Sequence, residues 1–372
     1  MPRLRRSSLL ALAALIVLAA AAAALLLLRD PRVSAWVKGH SVHVLDRRRA
    51  IDLGAANEIF DLERIGDEFA YDPVALLVSK AGREQDWPWP EAPRGAFTLR
   101  TNELGLHEDG PTLGGEHGTR ILVCGDSHTA GVVDNADSFA NRLEARLRAL
   151  PGHATLEVLN AGVAYTGPYC YRGMLEKRLD LQPRVCVAVL FTGNDFWDDL
   201  KIRYALDGWT PPRCNEEYLA RLVAASARWR GPVSQGFNQA YRFEHFPWER
   251  ERALAAVIES FLAMRDRCAQ LGIQFLAVVL PTKMDVEPED DAGVQAAVQT
   301  ELGLTPEAAA VNRELGRSFA ESMARAGVRC LDPLDALRRA PHPLYWRQDY
   351  HLGRAGHELL SELLFEELRA SL

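Results

Sequence analysis

Three polar clusters of this sequence stand where apolar runs end and a fourth lies in the loop before the last helical stretch, and together they hold the residue types that acyl transfer through a serine requires. Ser127 lies in Gly125-Asp126-Ser127-His128-Thr129, Gly162 closes Asn160-Ala161-Gly162, and Asn194 lies in Thr192-Gly193-Asn194-Asp195. Near the C-terminus Asp349-Tyr350-His351-Leu352 is followed by Gly356-His357. A serine hydroxyl is a poor nucleophile at neutral pH, so it needs a base, and imidazole titrates near the working pH. His351 fits that role, and Asp349 would accept from its other ring nitrogen, fixing the tautomer and stabilising the imidazolium. A serine on a tight turn after a strand can aim its own N–H at a developing oxyanion, and an asparagine amide donates there without carrying charge. His128 and His357 read as structural, and Asp126 and Asp195 as residues that hold their loops.

These clusters need a scaffold that brings them together. Runs at Arg120–Gly125, Leu156–Asn160, Val185–Phe191, Ile273–Leu280 and Val328–Leu331 read as short strands. They alternate with helical spacing over Ser138–Leu150, Tyr169–Leu179, Arg250–Leu271, Pro306–Ala326 and Ala355–Leu368. Alternating strands and helices predict an α/β fold with a central parallel sheet covered on both faces. Ligands of such sheets sit beyond the carboxyl ends of the strands, which is where the four clusters fall. A long connection, about 197–248, is expected to be partly helical or functional. Its aromatic residues, among them Trp197, Trp209, Tyr218, Tyr241 and Trp248, either pack the insertion on the sheet or form a lid or platform for a sugar ring or acyl chain. Residues 29–118 read as an irregular juxtamembrane lead-in, because Trp87-Pro88-Trp89-Pro90 interrupts any helix or central strand.

The amino terminus differs from the rest. Leu9–Leu28 carries no charge and is long enough to cross a hydrocarbon core of roughly 30 Å. Arg3, Arg5 and Arg6 precede it, so the positive-inside rule predicts residues 1–28 as a cytoplasmic tip and transmembrane anchor, with the body of the chain extracytoplasmic. A cleaved signal peptide is the rival reading, and it exports the same domain. A formal net charge of −7 argues against a nucleic-acid partner, which needs a concentrated basic face. Arg47, Arg48 and Arg49 read as a solvated face near the membrane. Of the six cysteines, Cys124, Cys186 and Cys330 sit in apolar runs, whereas Cys170, Cys214 and Cys268 are the better disulfide candidates, with no pairing selected. No Cys/His grouping has zinc-ligand spacing, and neither metal nor cofactor is expected.

The order of the four clusters resembles the SGNH (GDSL-type) hydrolase superfamily over residues 119–372. The resemblance implies a three-layer α/β/α flavodoxin-like sandwich. It places the nucleophile on Ser127 and the base on His351, and builds the oxyanion hole from the Ser127 N–H, the Gly162 N–H and the Asn194 side chain. Two positions depart from the family pattern. The aspartate usually stands three residues before the histidine, where this chain has Gln348, and Asp349 stands two before. That D-x-H spacing is similar to the polysaccharide O-acetyltransferase branch. Thr192 replaces the first glycine of G-x-N-D, with Asn194-Asp195 intact. The segment Asn102-Glu103-Leu104-Gly105 resembles the N-x-x-G lead-in of membrane-anchored bacterial members, and a turn needing Gly105 at positive φ is its plain reading.

Three functions follow as expectations. The first is hydrolysis of an acyl ester on a cell-envelope carbohydrate or a lipid-like molecule through a Ser127 acyl-enzyme. The second is O-acyl transfer, in which a sugar hydroxyl replaces water and a multi-span membrane protein supplies the acyl group. The third, a binding module that keeps only the fold, is disfavoured by the intact Ser127, Asn194 and His351 set.

Overall fold

The structure, a computed structural model, describes residues 51–112, 118–289 and 292–372. The expected anchor at Leu9–Leu28 and the Arg47–Arg49 cluster lie outside the described residues. Among the described residues no helix is long and apolar enough to cross a membrane.

Four short strands come first, β1 (Phe69–Asp72), β2 (Leu76–Ser79), β3 (Glu84–Pro88) and β4 (Ala96–Arg100). The five that follow are β5 (Arg120–Gly125), β6 (Glu157–Gly162), β7 (Val185–Phe191), β8 (Gln274–Leu280) and β9 (Cys330–Leu331). The latter form one parallel sheet in the order β6-β5-β7-β8-β9. Their residues are apolar almost throughout because both faces are covered, and successive side chains go to opposite sides. Ile121 and Val123 of β5, with Val187 and Val189 of β7, pack on Phe139, Leu143, Leu360 and Leu364 of the helices Phe139–Arg148 and Arg354–Leu368. Leu122, Cys124, Ala188 and Leu190 face the other way, onto the helices Pro168–Lys177, Asp195–Asp207, Pro247–Leu271 and Val311–Arg325. This is the expected three-layer arrangement. The strand order reverses between β5 and β7, and that is the point at which open α/β sheets leave a crevice.

The lead-in is more ordered than its prolines suggest. A helix, Leu53–Phe60, is followed by two antiparallel hairpins, β1–β2 and β3–β4. Pro88 ends β3 without breaking the ribbon, because the next residue, Trp89, still donates its N–H to Gly95 O and a two-stranded ribbon has open edges where a proline nitrogen needs no partner. Asn102 then shapes the turn, its Oδ1 accepting from the N–H of Leu104 and Leu106, and Gly105 takes φ 75°. Behind that turn His107 donates its N–H to Asn160 O, while Glu108 Oε1 accepts from Asn160 N, so the chain covers the outer edge of β6. The lead-in and the sheet belong to one compact unit.

The insertion between β7 and β8 is helical, with Glu216–Arg228 and Asn238–His245 between the longer helices. Most of its aromatic residues are core. Tyr204, Tyr218, Phe237, Tyr241 and Phe243 are buried, and Trp209 and Trp248 face solvent. All six cysteines are unpaired, and the disulfide candidates Cys170 and Cys268 are buried in the core.

Candidate active site

β5 delivers Ser127. Asp126 caps one helical turn, Ser127–Ala130, by accepting from the His128 N–H at 2.9 Å. As the first residue of that turn Ser127 keeps its own N–H outside the helical ladder, and it donates to no other described residue. The Ser127 Oγ stands 2.8 Å from His351 Nε2, and His351 Nδ1 is hydrogen-bonded to Asp349 Oδ2. Sequence positions 127, 349 and 351 are therefore one continuous chain of hydrogen bonds. Two residues of spacing suffice because Tyr350 adopts φ 68°, a left-handed conformation that non-glycine residues rarely take, which folds Asp349 back onto the ring.

Burial pulls the His351 imidazole down, but the charge and hydrogen bond of Asp349, with Asp126 farther off, outweigh it and leave its pKa above the ordinary 6.5. Burial pushes Asp349 up; the His351 charge, its hydrogen bonds and Arg230 together hold the carboxyl below its ordinary 3.8. Such a pair keeps the aspartate ionised and favours the imidazolium, as a general base needs once it has taken a proton.

Asn194 follows β7 and stands at the start of the helix Asp195–Asp207, yet its side chain makes no capping bond. Its Oδ1 is buried without a partner among the described residues, and the residue lines the same cavity as Ser127, Asp349 and His351. Asp195 holds the loop, accepting from the Tyr171 hydroxyl at 2.9 Å and the Phe191 N–H at 2.8 Å.

Gly162 is the one predicted site residue that the structure does not bring to the cavity. Its N–H is directed to Asn160 Oδ1 at 3.2 Å, and it lies at the end of β6 in register with Gly125. A Cβ there would stand 2.2 Å from the Ala130 nitrogen, so the glycine serves close packing under the Ser127 turn. The wall of the cavity is reached by Ala164 and Tyr165 instead, whose N–H groups donate to no other described residue. Tyr165 takes φ 66°. The sequence signal for this turn, a polar-poor Ala-Tyr-Thr after the strand, carries no glycine to mark it.

Several groups hold the Asp349–His351 loop in place. His128, read as structural, packs on His351 with ring centroids 4.6 Å apart and stacks on Phe191 at 3.8 Å. Its Nδ1 accepts from the Leu352 N–H, so Nε2 carries the proton and donates to Gln235 Oε1 at 3.1 Å. Burial, with the neighbouring His351, keeps this ring's pKa well below 6.5 and so neutral. His357 is likewise a buried, neutral ring, its pKa lowered to about 3 mainly by burial, and it accepts from the Phe139 N–H. Gly231, from the insertion, lies so close to the loop that a Cβ would stand 2.0 Å from Gln348 O and 2.7 Å from Asp349 Cα. From the lead-in, the Glu91 carboxylate accepts the N–H groups of both Arg347 and Gln348, at 2.6 and 2.9 Å.

The cavity itself measures about 500 Å³. One side is the switch-point crevice with Ser127, Asn194 and His351. The other is built by the lead-in, through Phe60, Arg64, Trp87, Trp89 and Phe97, and the insertion adds Trp197, Arg230 and Gln235. Among the described residues no group of three His, Cys, Asp or Glu side chains could hold a metal ion.

An α/β chain with this crevice meets the model of the GDSL-like Lipase/Acylhydrolase family over residues 123–359. The chain belongs to that family, a group of esterase-type hydrolases within the SGNH superfamily. Among solved structures, it is similar to a putative lipolytic protein of the G-D-S-L family from Desulfitobacterium hafniense DCB-2, with 13% identity, a TM-score of 0.40, and 68% of this chain and 100% of that one covered. It is also similar to the lipase/acylhydrolase from Enterococcus faecalis, with 17% identity, a TM-score of 0.40, and 68% and 96% covered. A third is a catalytic mutant of Axe2, an acetylxylan esterase from Geobacillus stearothermophilus, with 12% identity, a TM-score of 0.38, and 69% and 95% covered. No curated protein matches the chain.

Proposed function

We propose that this chain is a serine ester hydrolase that works through a Ser127 acyl-enzyme on an acyl ester of a cell-envelope carbohydrate or lipid-like molecule. The observation that carries the reading is the line Ser127 Oγ, His351, Asp349, with 2.8 Å between the hydroxyl and Nε2. His351 takes the Ser127 proton as Oγ bonds to the ester carbonyl carbon, and Asp349 stabilises the imidazolium. The Ser127 N–H and the Asn194 amide hold the oxyanion, and the Ala164–Tyr165 turn offers the further backbone donor that Gly162 does not. His351 then gives its proton to the leaving alkoxide, and water, deprotonated in turn by His351, releases the acid. Transfer to a sugar hydroxyl uses the same residues. The D-x-H spacing of Asp349 and His351 favours that second reading, which needs an acceptor in the cavity in place of water. We further propose that an N-terminal membrane anchor holds the domain outside the cytoplasm, a reading supported by the apolar run Leu9–Leu28 behind three arginines.

The test is covalent. A fluorophosphonate should label the wild-type chain and leave Ser127→Ala unlabelled, with turnover of 4-nitrophenyl acetate lost alongside. Equal labelling of the two proteins would remove Ser127 as the nucleophile.

A further inference from the structure

The lead-in hairpin presents one face to the cavity, and that face has a composition the catalytic residues do not explain. Arg83, Gln85, Trp87 and Trp89 line the cavity and are half-buried, and they alternate with exposed Glu84, Asp86, Pro88 and Pro90. Across the ribbon Trp87 pairs with Phe97 and Gln85 with Leu99, and Phe97 and Leu99 also line the cavity. At about 3.3 Å per strand residue the row from Arg83 to Trp89 runs about 20 Å, room for several pyranose rings end to end. Phe97 braces Trp89 edge-on at 5.4 Å.

We infer that this face is a subsite for a neutral glycan chain, which it holds so that an O-acyl group on one sugar reaches Ser127. The inference rests on the ester-hydrolase reading above and names its substrate class. Indole faces pack on the apolar C–H faces of sugar rings, while an amide and a guanidinium beside them meet the hydroxyls. The charges select against other occupants. Arg64 is paired with Asp61 at 2.9 Å and Lys201 with Asp198 at 2.6 Å, and Arg83 is hydrogen-bonded to Gln85 at 2.6 Å. Arg230, the cavity's remaining arginine, lies close enough to Asp349 to lower its pKa, and one such cation beside the acidic Asp61, Glu68, Asp198 and Asp349 of the same lining does not make a site for a polyanion. A long acyl chain fits poorly too, since it would strip water from these ion pairs and offer them no hydrogen bond in return.

The experiment compares partially O-acetylated xylohexaose, O-acetylated xylose and 4-nitrophenyl acetate as substrates of the full-length chain. Wild type should show a KM about ten-fold lower for the hexamer than for the single sugar. Trp87→Ala and Gln85→Ala should each erase most of that difference while kcat/KM for 4-nitrophenyl acetate stays within about two-fold, and Trp87→Tyr should keep it. Absence of a length effect in wild type, or its survival in both alanine variants, overturns the subsite. So does selective loss in Trp87→Ala of long-chain over acetyl 4-nitrophenyl esters, which would assign the face to an acyl chain. If wild type turns over no ester at all, the ester-hydrolase reading fails separately. Calorimetry with unacetylated xylohexaose then decides the subsite: binding lost in Trp87→Ala sustains it, and no binding by wild type refutes it.

Discussion

Replacing Asp349 with asparagine tests the least usual part of the site, because the residue stands two rather than three positions before His351. The change keeps size and removes charge. One loss is the charge-assisted hydrogen bond to the imidazolium, roughly 1.5–3 kcal/mol, which at about 1.4 kcal/mol per decade is about 10–150-fold in rate. The other is the tautomer: an amide N–H can donate to Nδ1 and leave the proton on Nε2, facing the Ser127 hydroxyl that it should deprotonate. Where an aspartate of this role has been replaced in other serine enzymes the combined loss reaches about 10⁴, so kcat for Asp349→Asn should fall by about 10²–10⁴ with KM little changed. The pH profile supplies a second readout. The base works neutral, so wild-type activity is lost as pH falls through the His351 pKa, which lies above 6.5. Without the Asp349 charge, burial dominates and the acid limb should move to lower pH. Gln348 is exposed and offers only its backbone N–H to Glu91, so Gln348→Ala should change kcat by less than about two-fold. The assay is hydrolysis of 4-nitrophenyl acetate from pH 5 to 9, with circular dichroism on each variant. A folded Asp349→Asn protein within five-fold of wild type, or an acid limb that does not move, would refute the reasoning.

Asn194→Ala should lower kcat by about 10²–10³ with little change in KM, since an oxyanion donor acts in the transition state, and steady-state kinetics will show it. Gly231→Ala should lower both kcat and Tm, because its Cβ must displace Gln348 O and Asp349 Cα; thermal melts and turnover measure the two effects, and an unchanged kcat would separate the insertion from the site. The full-length chain should partition into the membrane fraction, with its body cut by protease only from the extracytoplasmic side, as read by fractionation and immunoblot; a soluble exported form beginning near Leu25 would show a cleaved signal instead.

How far the sequence discloses this molecule depends on how strongly each element is patterned. The five sheet strands were legible because burial on both faces makes them nearly continuous apolar runs, and the observed ends fall within a residue or two of the expected ones. Ser127 and Asn194 stand out in the sequence because each follows such a strand at its carboxyl end, and Asp349 and His351 because they form a polar group in the loop ahead of the last helix; the structure brings all four to one cavity. Gly162 misled, since a glycine past a strand looks the same whether it frees an N–H or admits a neighbouring backbone, and only the nearness of Ala130 tells which. The hairpins of the lead-in were missed for a different reason. Their strands are short and punctuated by Pro88 and Pro90, and their partners are close in sequence but their purpose is distant. The alternation of Arg83, Gln85, Trp87 and Trp89 was a period-two signal in plain view, and the prolines outweighed it.

The Glu91 carboxylate, bridging two amides just ahead of Asp349, and the His107–Glu108 contacts along β6 bear on how this enzyme can be handled at the bench. The family match begins at residue 123, which invites an expression boundary just before β5. A fragment cut there would leave the Asp349–His351 loop without its brace and would strip the outer edge of β6 of its covering. Unpaired strand edges recruit other strands, so such a fragment should precipitate rather than merely lose activity. A usable form should therefore keep the chain from Ile51 onward, and the roughly seventy residues from Ile51 to β5 are as much a part of the folded site as the sheet that follows.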